Sequence, residues 1–352
     1  MPSPPNPKPC SDTMRPARCL GMCPERERSE RQKQGRLHRL ELVTGAAVKE
    51  WRRPAAGCEA VAPAELRPPA VLLQTVRHLM EKVVPRAELG PEPEPWPVVH
   101  DFVMDRLRSV RQDLSAQRLG GDAAAAILEQ SLRFLLTGPL WLGRPPSYHP
   151  RPREPGSIDA QVRECFSRLL ATYSEGEHKN QAEFEALALL YDLGSDKALH
   201  RALQLPARIQ DSPEMKLAFS INHALAEGNY VRCLRVVRRL PFLESCAIYR
   251  HISMLRHRLL RAFSHGYSCR NCRYPLQTLV ELLAVDSQDI AADLCQQHGQ
   301  QVTGDWVCFQ KSSYRDPDTN PGLKELELVT RKQGNRTRSS IIQGHRVTVT
   351  EL

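Results

Sequence analysis

Residues 275–310 read PLQTLVELLAVDSQDIAADLCQQHGQQVTGDWVCFQ, which is the most specific fold signal in the chain. Its apolar spacing predicts a helix through Leu283, a short turn with Asp286 as N-cap, and a second helix ending at Gly299. The residues that follow alternate around Thr-Gly-Asp, which predicts a small β-hairpin. Helix, turn, helix and hairpin together predict a winged helix over residues 265–316.

The second of these predicted helices is acidic. It carries Asp289, Asp293 and Gln296 and contains no lysine or arginine. In DNA-binding winged helices this helix enters the major groove through polar and basic residues. Because phosphate would repel the carboxylates, we predict that this helix packs against protein.

Upstream, residues 157–264 contain short amphipathic blocks broken by Gly, Pro or Asn. The blocks read IDAQVRECFSRLLATY, QAEFEALALLYDLG, DKALHRALQLP, PEMKLAFSINHALAEGN and YVRCLRVVRRLPFL. Each is apolar on one side, so together they predict a stack of helical hairpins. Such stacks expose extended surfaces that usually serve as binding faces.

The same region holds the strongest basic cluster in the sequence. Between Val231 and Arg261 there are eight arginines and one acidic residue, Glu244. A solvated helix face is one interpretation, and a patch for nucleic acid or an acidic partner is the other. The patch residues are Arg232, Arg235, Arg238, Arg239, Arg250, Arg256, Arg258 and Arg261.

The remaining chain divides by composition. Proline-rich residues 1–18 predict a disordered leader, and residues 19–57 a charged arm lying along a surface. Residues 58–156 predict helices interrupted by proline-rich insertions such as PEPEPWP. Residues 317–352 predict a basic polar tail, in which RKQGNRTRSS offers sites for phosphorylation or charged contacts.

One helix among the insertions is amphipathic. HDFVMDRLRSVRQDL places Val103, Leu107 and Val110 on one stripe, and Arg108 and Arg111 on the opposite face. That charged face is either simply solvated or a contact for a partner or phosphate, and the sequence leaves both interpretations open.

Composition favours a globular protein with basic character. The 352 residues include 49 Lys plus Arg and 40 Asp plus Glu, a net charge of +9. This balance favours phosphate or acidic-protein partners. No apolar run approaches the roughly 20 residues of a membrane span, and the start lacks a signal peptide. We therefore expect a soluble intracellular protein with reduced thiols and no membrane partner.

Motifs for catalysis and cofactor binding are not found. The sequence has no phosphate-binding GxxxxGK[ST] loop, HExxH pair, GxSxG elbow or dinucleotide fingerprint, so we expect no enzyme activity and no cofactor. A metal or thiol site remains a third hypothesis for Cys269 and Cys272. His257 and His265 precede this pair and would supply further ligands.

Several ordered motifs resemble the Sac-three/GANP family over roughly residues 19–316. They read MCPERERSERQ, RLHRLE, AVKEWRRPAAG, LRPPAVLL, FVMDRLRSVRQDL and FEALALLYDLGS. One departure is Gly21, where the family usually carries an acidic residue. The family-motif residues are Cys23, Pro24, Glu25, Arg26, Arg53, Pro54, Ala55, Gly57, Asp105, Arg106, Arg111, Gln112 and Asp113.

The resemblance implies a mostly α protein: a PCI-type right-handed helical-hairpin array capped by a small winged helix with a β-hairpin. It also implies a scaffold without catalysis. Long relatives organise the TREX-two messenger-RNA export assembly, whereas short animal members are associated with centrosome duplication and spindle function.

Two functional hypotheses follow from the resemblance. The first is a scaffold at the centrosome and spindle that binds PCI-type or small acidic subunits and centrosomal proteins in the cytoplasm. The second is an RNA-export adaptor that binds RNA through the basic patch, which would place the protein in the nucleus.

Overall fold

A computed structural model describes residues 17–53, 61–89, 92–143, 157–269, 271–316 and 327–344. The chain divides into two compact units after Gln130. Pro54, Ala55 and Gly57, most of the predicted leader, and part of the predicted tail lie outside the described residues. In the part of the chain that is described, no helix is long and apolar enough to cross a bilayer.

Among its described residues, the first unit contains four α-helices and the start of a fifth. They are α1 (Glu25–Lys33), α2 (Arg39–Thr44), α3 (Pro69–His78), α4 (Trp96–Ala116) and α5 (Gly121–Trp141). Helix α3 continues as a π turn over Leu79–Val83 and a 3-10 turn over Val84–Ala87. Pro69 and Pro97 occupy first-turn positions of α3 and α4, where a missing amide proton costs nothing.

The second unit begins with a helical array. Its helices are α6 (Ile158–Tyr173), α7 (Gln181–Tyr191), α8 (Asp196–Leu203), α9 (Ala207–Gln210), α10 (Pro213–Ala226), α11 (Tyr230–Arg239) and α12 (Phe242–Gly266). Side chains of Ser157, Ser195, Ser212 and Asn229 cap α6, α8, α10 and α11. The predicted blocks therefore correspond to real helices, although α12 is much longer than its sequence pattern indicated.

Helix α7 lies at the centre of this array. Its side chains are buried on several sides, including Leu187, Leu189 and Leu190, and it packs against α10 and α12. Helix α11 closes the layer against α10 and α12 through its buried residues Cys233, Leu234 and Val237. Every residue of α7 from Phe184 to Tyr191 is buried, which is typical of a helix that lies in an interior.

The array is followed by the predicted winged helix. Its elements are β1 (Tyr274–Pro275), α13 (Leu276–Leu283), α14 (Gln288–Gln297), β2 (Gln301–Thr303) and β3 (Trp306–Cys308). The antiparallel sheet has the order β1-β3-β2, and Val302 pairs with Val307 in the hairpin. The prediction of a mostly α fold with a small β-hairpin is confirmed.

The predicted cap of α14 is wrong by one residue. Ser287, not Asp286, is the N-cap, and its hydroxyl accepts a hydrogen bond from Ile290 N. The Asp286 carboxylate accepts instead from Glu327 N at 3.1 Å. After α14, Gly299 has φ +75° and a Cβ there would lie 2.1 Å from Ser313 O, so only glycine fits.

Part of the predicted polar tail is folded. Residues 327–344, called the strap below, contain α15 (Glu327–Thr330) and α16 (Arg338–Gln343). Val329, Ile341 and Ile342 of the strap are buried. The composition of this segment is polar, but Val329 near its start and Ile341 and Ile342 near its end are buried and hold both ends of the segment in place.

Candidate functional site

The first family motif begins α1 and faces the interior in part. Cys23 and Pro24 are buried, whereas Glu25 and Arg26 are exposed in the first turn. Burial, reinforced by the Glu27 carboxylate, raises the pKa of Cys23 to about 12. A thiol with a raised pKa is a poor nucleophile, so Cys23 contributes to packing.

Two buried arginines of the first unit share carboxylates. Arg31 is fully buried, its Nε lies 3.2 Å from Glu50 Oε1, and its guanidinium also binds Glu41. Arg106 NH2 lies 3.3 Å from Glu50 Oε1 and 3.5 Å from Glu41 Oε1. Buried charges are tolerated when they are paired and hydrogen-bonded, which is the arrangement found in this cluster.

A second buried cluster surrounds Asp113 on α4. Lys49 Nζ and Arg67 Nε each lie 2.7 Å from its carboxylate oxygens. Arg67 also donates to Ser109 Oγ at 3.0 Å, and Gln117 donates to Arg67 O at 2.9 Å. These bonds connect the N-terminal arm and the start of α3 to α4.

The structure revises the predictions for the charged face of α4. Arg106, Arg111 and Asp113 are all buried, so neither a solvated face nor an exposed contact describes them, and the placement of Arg111 on an outer face is wrong. Asp105 pairs with Arg106, and Gln112 Nε2 donates to Arg52 O at 3.0 Å. The residues of the third motif therefore connect α4 with the arm.

Of the second motif, the structure describes Arg53, which is exposed. The neighbouring Trp51 lies beneath Arg108 of α4, whose Cζ is 3.5 Å from the ring centroid. This cation–π contact fastens the end of the arm to α4.

Helix α11 supplies half of the predicted basic patch. Arg232, Arg235, Arg238 and Arg239 are exposed on the face opposite its buried residues. Arg232 lies 3.5 Å from Glu227, and Arg238 donates to Val280 O at 3.1 Å. The face carries a high density of positive charge and reaches the winged helix through Arg238.

Helix α12 divides its arginines between surface and interior. Arg258 and Arg261 are exposed, but Arg250 and Arg256 are buried. Arg250 pairs with Asp159 of α6. Because buried side chains cannot contact a partner, the patch consists of the six exposed arginines on α11 and α12, and Arg250 and Arg256 are removed from it.

Arg256 has a structural task in the winged helix. Its Nε donates to Leu283 O at 2.8 Å, at the end of α13, and burial lowers its pKa to about 10. The following residue, Ala284, adopts φ +51°. Arg256 thus satisfies carbonyls that a helix end leaves without partners.

The polar residues named for α14 lie on its outer face, and the packing of this helix against a protein partner stays a prediction. Asp289, Asp293 and Gln296 are exposed. Two large aromatic side chains, Tyr267 and Trp306, are also exposed in this region, each at 42%.

The pair Cys269 and Cys272 shows no metal-binding geometry. Among the described residues, no group of three or more His, Cys, Asp or Glu side chains is arranged to hold a metal ion. His257, one of the suggested ligands, instead lies 2.9 Å from His298 Nε2 and 3.1 Å from Asp316 Oδ1. His265 contacts Arg261 O at 2.8 Å.

Sequence reasoning missed most partners of the buried ion pairs. Arg31, Glu41, Lys49 and Arg67 lie in charge-dense or proline-flanked segments, where nothing in the periodicity distinguishes a buried charge from a solvated one. One weak signal was available: Glu27 and Arg31 are four residues apart on α1, a spacing that favours pairing.

Comparison with known proteins places these motifs in a family. The sequence profile of the SAC3/GANP family matches residues 22–304. The chain is similar to SAC3 family protein 1 of Schizosaccharomyces pombe, with 27% identity over 371 residues, covering 94% of this chain and 35% of the relative.

Two further relatives come from other kingdoms. Protein xmas of Drosophila melanogaster is 28% identical over 315 residues, covering 81% of this chain and 14% of the relative. SAC3 family protein B of Arabidopsis thaliana is 26% identical over 308 residues, covering 80% and 17%. The chain thus spans about a third or less of the length of these relatives.

Proposed function

The chain belongs to the SAC3/GANP family, and from that premise we propose that it is a non-enzymatic scaffold acting in centrosome duplication, spindle assembly and mitotic progression. It works through protein–protein contacts made by its helical array and winged helix. The mitotic assignment follows from the resemblance to the short animal members of the family.

One observation supports a scaffold over an enzyme: the charged residues Arg106, Arg111 and Asp113 of the third motif are buried inside the fold. Arg106 and Asp113 pair with arm residues in the interior, and Cys23 is a buried thiol of raised pKa. Catalysis needs such groups at a site that substrate can reach. In this protein Arg106 and Asp113 hold the arm in place, so we assign partner binding to the exposed surface.

The partners we propose are other PCI-type subunits, small acidic subunits, and centrosomal or spindle proteins. The exposed arginines of α11 suit an acidic partner, because complementary charge steers association and fixes register. The acidic outer face of α14 disfavours DNA and suits a basic protein surface.

Imaging in dividing cells tests the mitotic assignment. The tagged full chain is expected at centrosomes and spindle poles, and its depletion should raise the fraction of cells with abnormal spindle pole numbers. Re-expression of the full chain should restore the normal count. A chain that stays nuclear through interphase, with normal poles after depletion, would contradict the proposal.

The second candidate is a messenger-RNA export adaptor that binds RNA through a basic face. The observation that favours it is the cluster of exposed arginines on α11 and α12. Depletion would then cause polyadenylated RNA to accumulate in the nucleus, which in situ hybridisation measures. Normal RNA distribution after depletion would rule against this candidate.

A further inference from the structure

The strap is fastened to the helical array by a charged anchor in the 3-10 turn Arg331–Gln333, which follows α15. Lys332 Nζ donates to Val237 O at 2.7 Å and to Ser245 Oγ at 2.8 Å. Val237 lies in the last turn of α11, and its carbonyl oxygen also accepts a hydrogen bond from Leu240 N at 3.3 Å. An ammonium group there complements the negative end of the helix dipole. Burial lowers the pKa of Lys332 to about 8.

Two arginines of the strap lie over aromatic rings. Arg336 Cζ is 5.6 Å from the ring centroid of Phe242, and Arg338 Cζ is 5.6 Å from that of Trp141. The indole Nε1 of Trp141 also donates to Gln333 Oε1 at 2.8 Å. The aromatic surface on α5 and α12 therefore binds cationic side chains at defined positions.

The end of the strap requires a glycine. Gly344 has φ +77°, and a Cβ at this position would lie 2.6 Å from Arg133 Cζ. Arg133 cannot easily move away, because its NH2 is paired with Glu183 Oε2 at 3.1 Å. The backbone of the strap thus closes directly onto a fixed guanidinium group.

The groove beside the strap is acidic where the strap is basic. It has a volume of about 830 Å³ with the strap in place. The strap lines part of it, and the rest of the lining includes Arg133 of α5 and three carboxylates of the array, Glu183, Glu214 and Glu244. Residues 327–344 contain four basic residues and one acidic residue, Glu327. Charge complementarity between a groove and its occupant favours recognition of that chemistry over others.

We propose that the surface of α5, α10 and α12 bordering this groove is a docking site for a basic, partly aliphatic protein segment, and that the strap covers this surface in the free protein. The segment recognised has the pattern of the strap: a lysine, two arginines, and then paired aliphatic residues. This inference is independent of where in the cell the protein acts.

The small apolar content of the strap makes it displaceable. Only Val329, Ile341 and Ile342 are buried aliphatic anchors, so the strap opens at a lower free energy than a helix such as α7, in which every residue from Phe184 to Tyr191 is buried. An incoming segment competes with an occupant whose effective concentration is on the order of millimolar. Partner binding is consequently weak until the strap is released.

The test uses the full chain and a fluorescent peptide with the sequence of residues 327–344. Wild-type protein should bind this peptide weakly, because its own strap covers the docking surface. Lys332→Glu and, separately, Gly344→Val should release the strap, which hydrogen–deuterium exchange of residues 327–344 detects. Both variants should then bind the peptide at least tenfold more tightly than wild type.

The matched control is Arg331→Glu, because Arg331 is exposed and its ion pair is with Glu327 of the strap itself. This variant should keep wild-type exchange and wild-type peptide binding. A scrambled peptide should bind no variant. The proposal is overturned if released variants bind the peptide no better than wild type, or if wild type proves to be a dimer that exchanges straps between copies. If Lys332→Glu fails to fold, Gly344→Val alone decides.

Discussion

At the scale of single residues, the first unit has an unusual interior. Arg31, Arg67 and Arg106 are almost completely buried and are held by carboxylates that are themselves largely buried. Such pairs contribute little net stability compared with apolar packing, but removing one member leaves an uncompensated charge. The N-terminal arm is therefore held by buried ion pairs, and replacing either member of a pair should weaken its attachment.

Arg31→Met should destabilise the first unit by about 3–5 kcal/mol, because it leaves the Glu41 and Glu50 carboxylates without their main partner. Arg28→Met, on the exposed side of the same helix, should change stability by less than about 0.5 kcal/mol. Urea unfolding measures both variants. Equal midpoints for the two variants would contradict the role assigned to Arg31.

His251 should make the protein acid-sensitive. Its Nε2 lies 2.9 Å from Tyr191 O, and burial lowers its pKa to about 4. The unfolded chain has a histidine pKa near 6.5, so between about pH 6.5 and 4 it binds a proton that the folded chain does not. Stability should therefore fall by about 3 kcal/mol as the pH drops through this window.

The measurement for His251 compares unfolding free energies at pH 7 and pH 4.5 for wild type and His251→Gln. Glutamine keeps a hydrogen-bond donor but does not titrate, so the variant should lose less stability on acidification. Identical losses in the two proteins would show that His251 is not the sensitive group.

The sequence identifies which residues matter in this region more readily than what they do. The motif MCPERERSERQ and the charged face of α4 are recognisable, but their composition indicates solvated charge. Which charge is buried depends on contacts between Arg31 and Glu41, or Lys49 and Asp113, across 10 and 64 residues of chain. No local periodicity encodes a pairing over such a distance.

At the scale of elements, local signals predicted the winged helix and the array well. Gly299, the Thr-Gly-Asp turn and the apolar spacing of α13 each act over a few residues, and the observed hairpin follows them. The prediction of the α14 cap failed, because contacts between residues far apart in the sequence determine the role of each side chain there. Asp286 was expected as a cap, but Ser287 takes that position, and Asp286 contacts the strap.

Arg256 is predicted to control the stability of the winged helix. Arg256→Met removes the donor to Leu283 O and leaves buried carbonyls without partners, at a cost of about 2–4 kcal/mol. Hydrogen–deuterium exchange of α13 and α14 should accelerate. Arg258→Met, two residues further on the exposed side of α12, is the control and should leave exchange unchanged; faster exchange in both variants would argue against a specific role.

The RNA hypothesis is tested most directly on the exposed arginines of α11. If its exposed arginines bind single-stranded RNA through four phosphates, affinity should fall roughly 50-fold between 50 and 200 mM salt. Arg235→Glu with Arg239→Glu should reduce both the affinity and the salt slope, which fluorescence anisotropy with a labelled oligonucleotide measures. Binding that is insensitive to salt, or unchanged in the double variant, would exclude this face as an RNA site.

At the scale of the whole molecule, the protein is a mostly α SAC3/GANP family member with a charged N-terminal unit and an array that ends in a winged helix. Its sequence predicted the α class and the family. It did not predict the strap, because polar composition conceals the three buried aliphatic anchors. The chain covers 35% of SAC3 family protein 1 and 14% of protein xmas, so the activities of those whole proteins are not assigned to it.

The most direct test of the scaffold account is purification of the tagged full chain from dividing cells at moderate salt, with and without nuclease, followed by identification of the co-purifying proteins. A mitotic scaffold should co-purify with centrosomal and spindle proteins, and with PCI-type or small acidic subunits, that remain bound after nuclease treatment. Recovery of RNA-export subunits that are lost after nuclease treatment would contradict it and make the arginines of α11 and α12 the functional site.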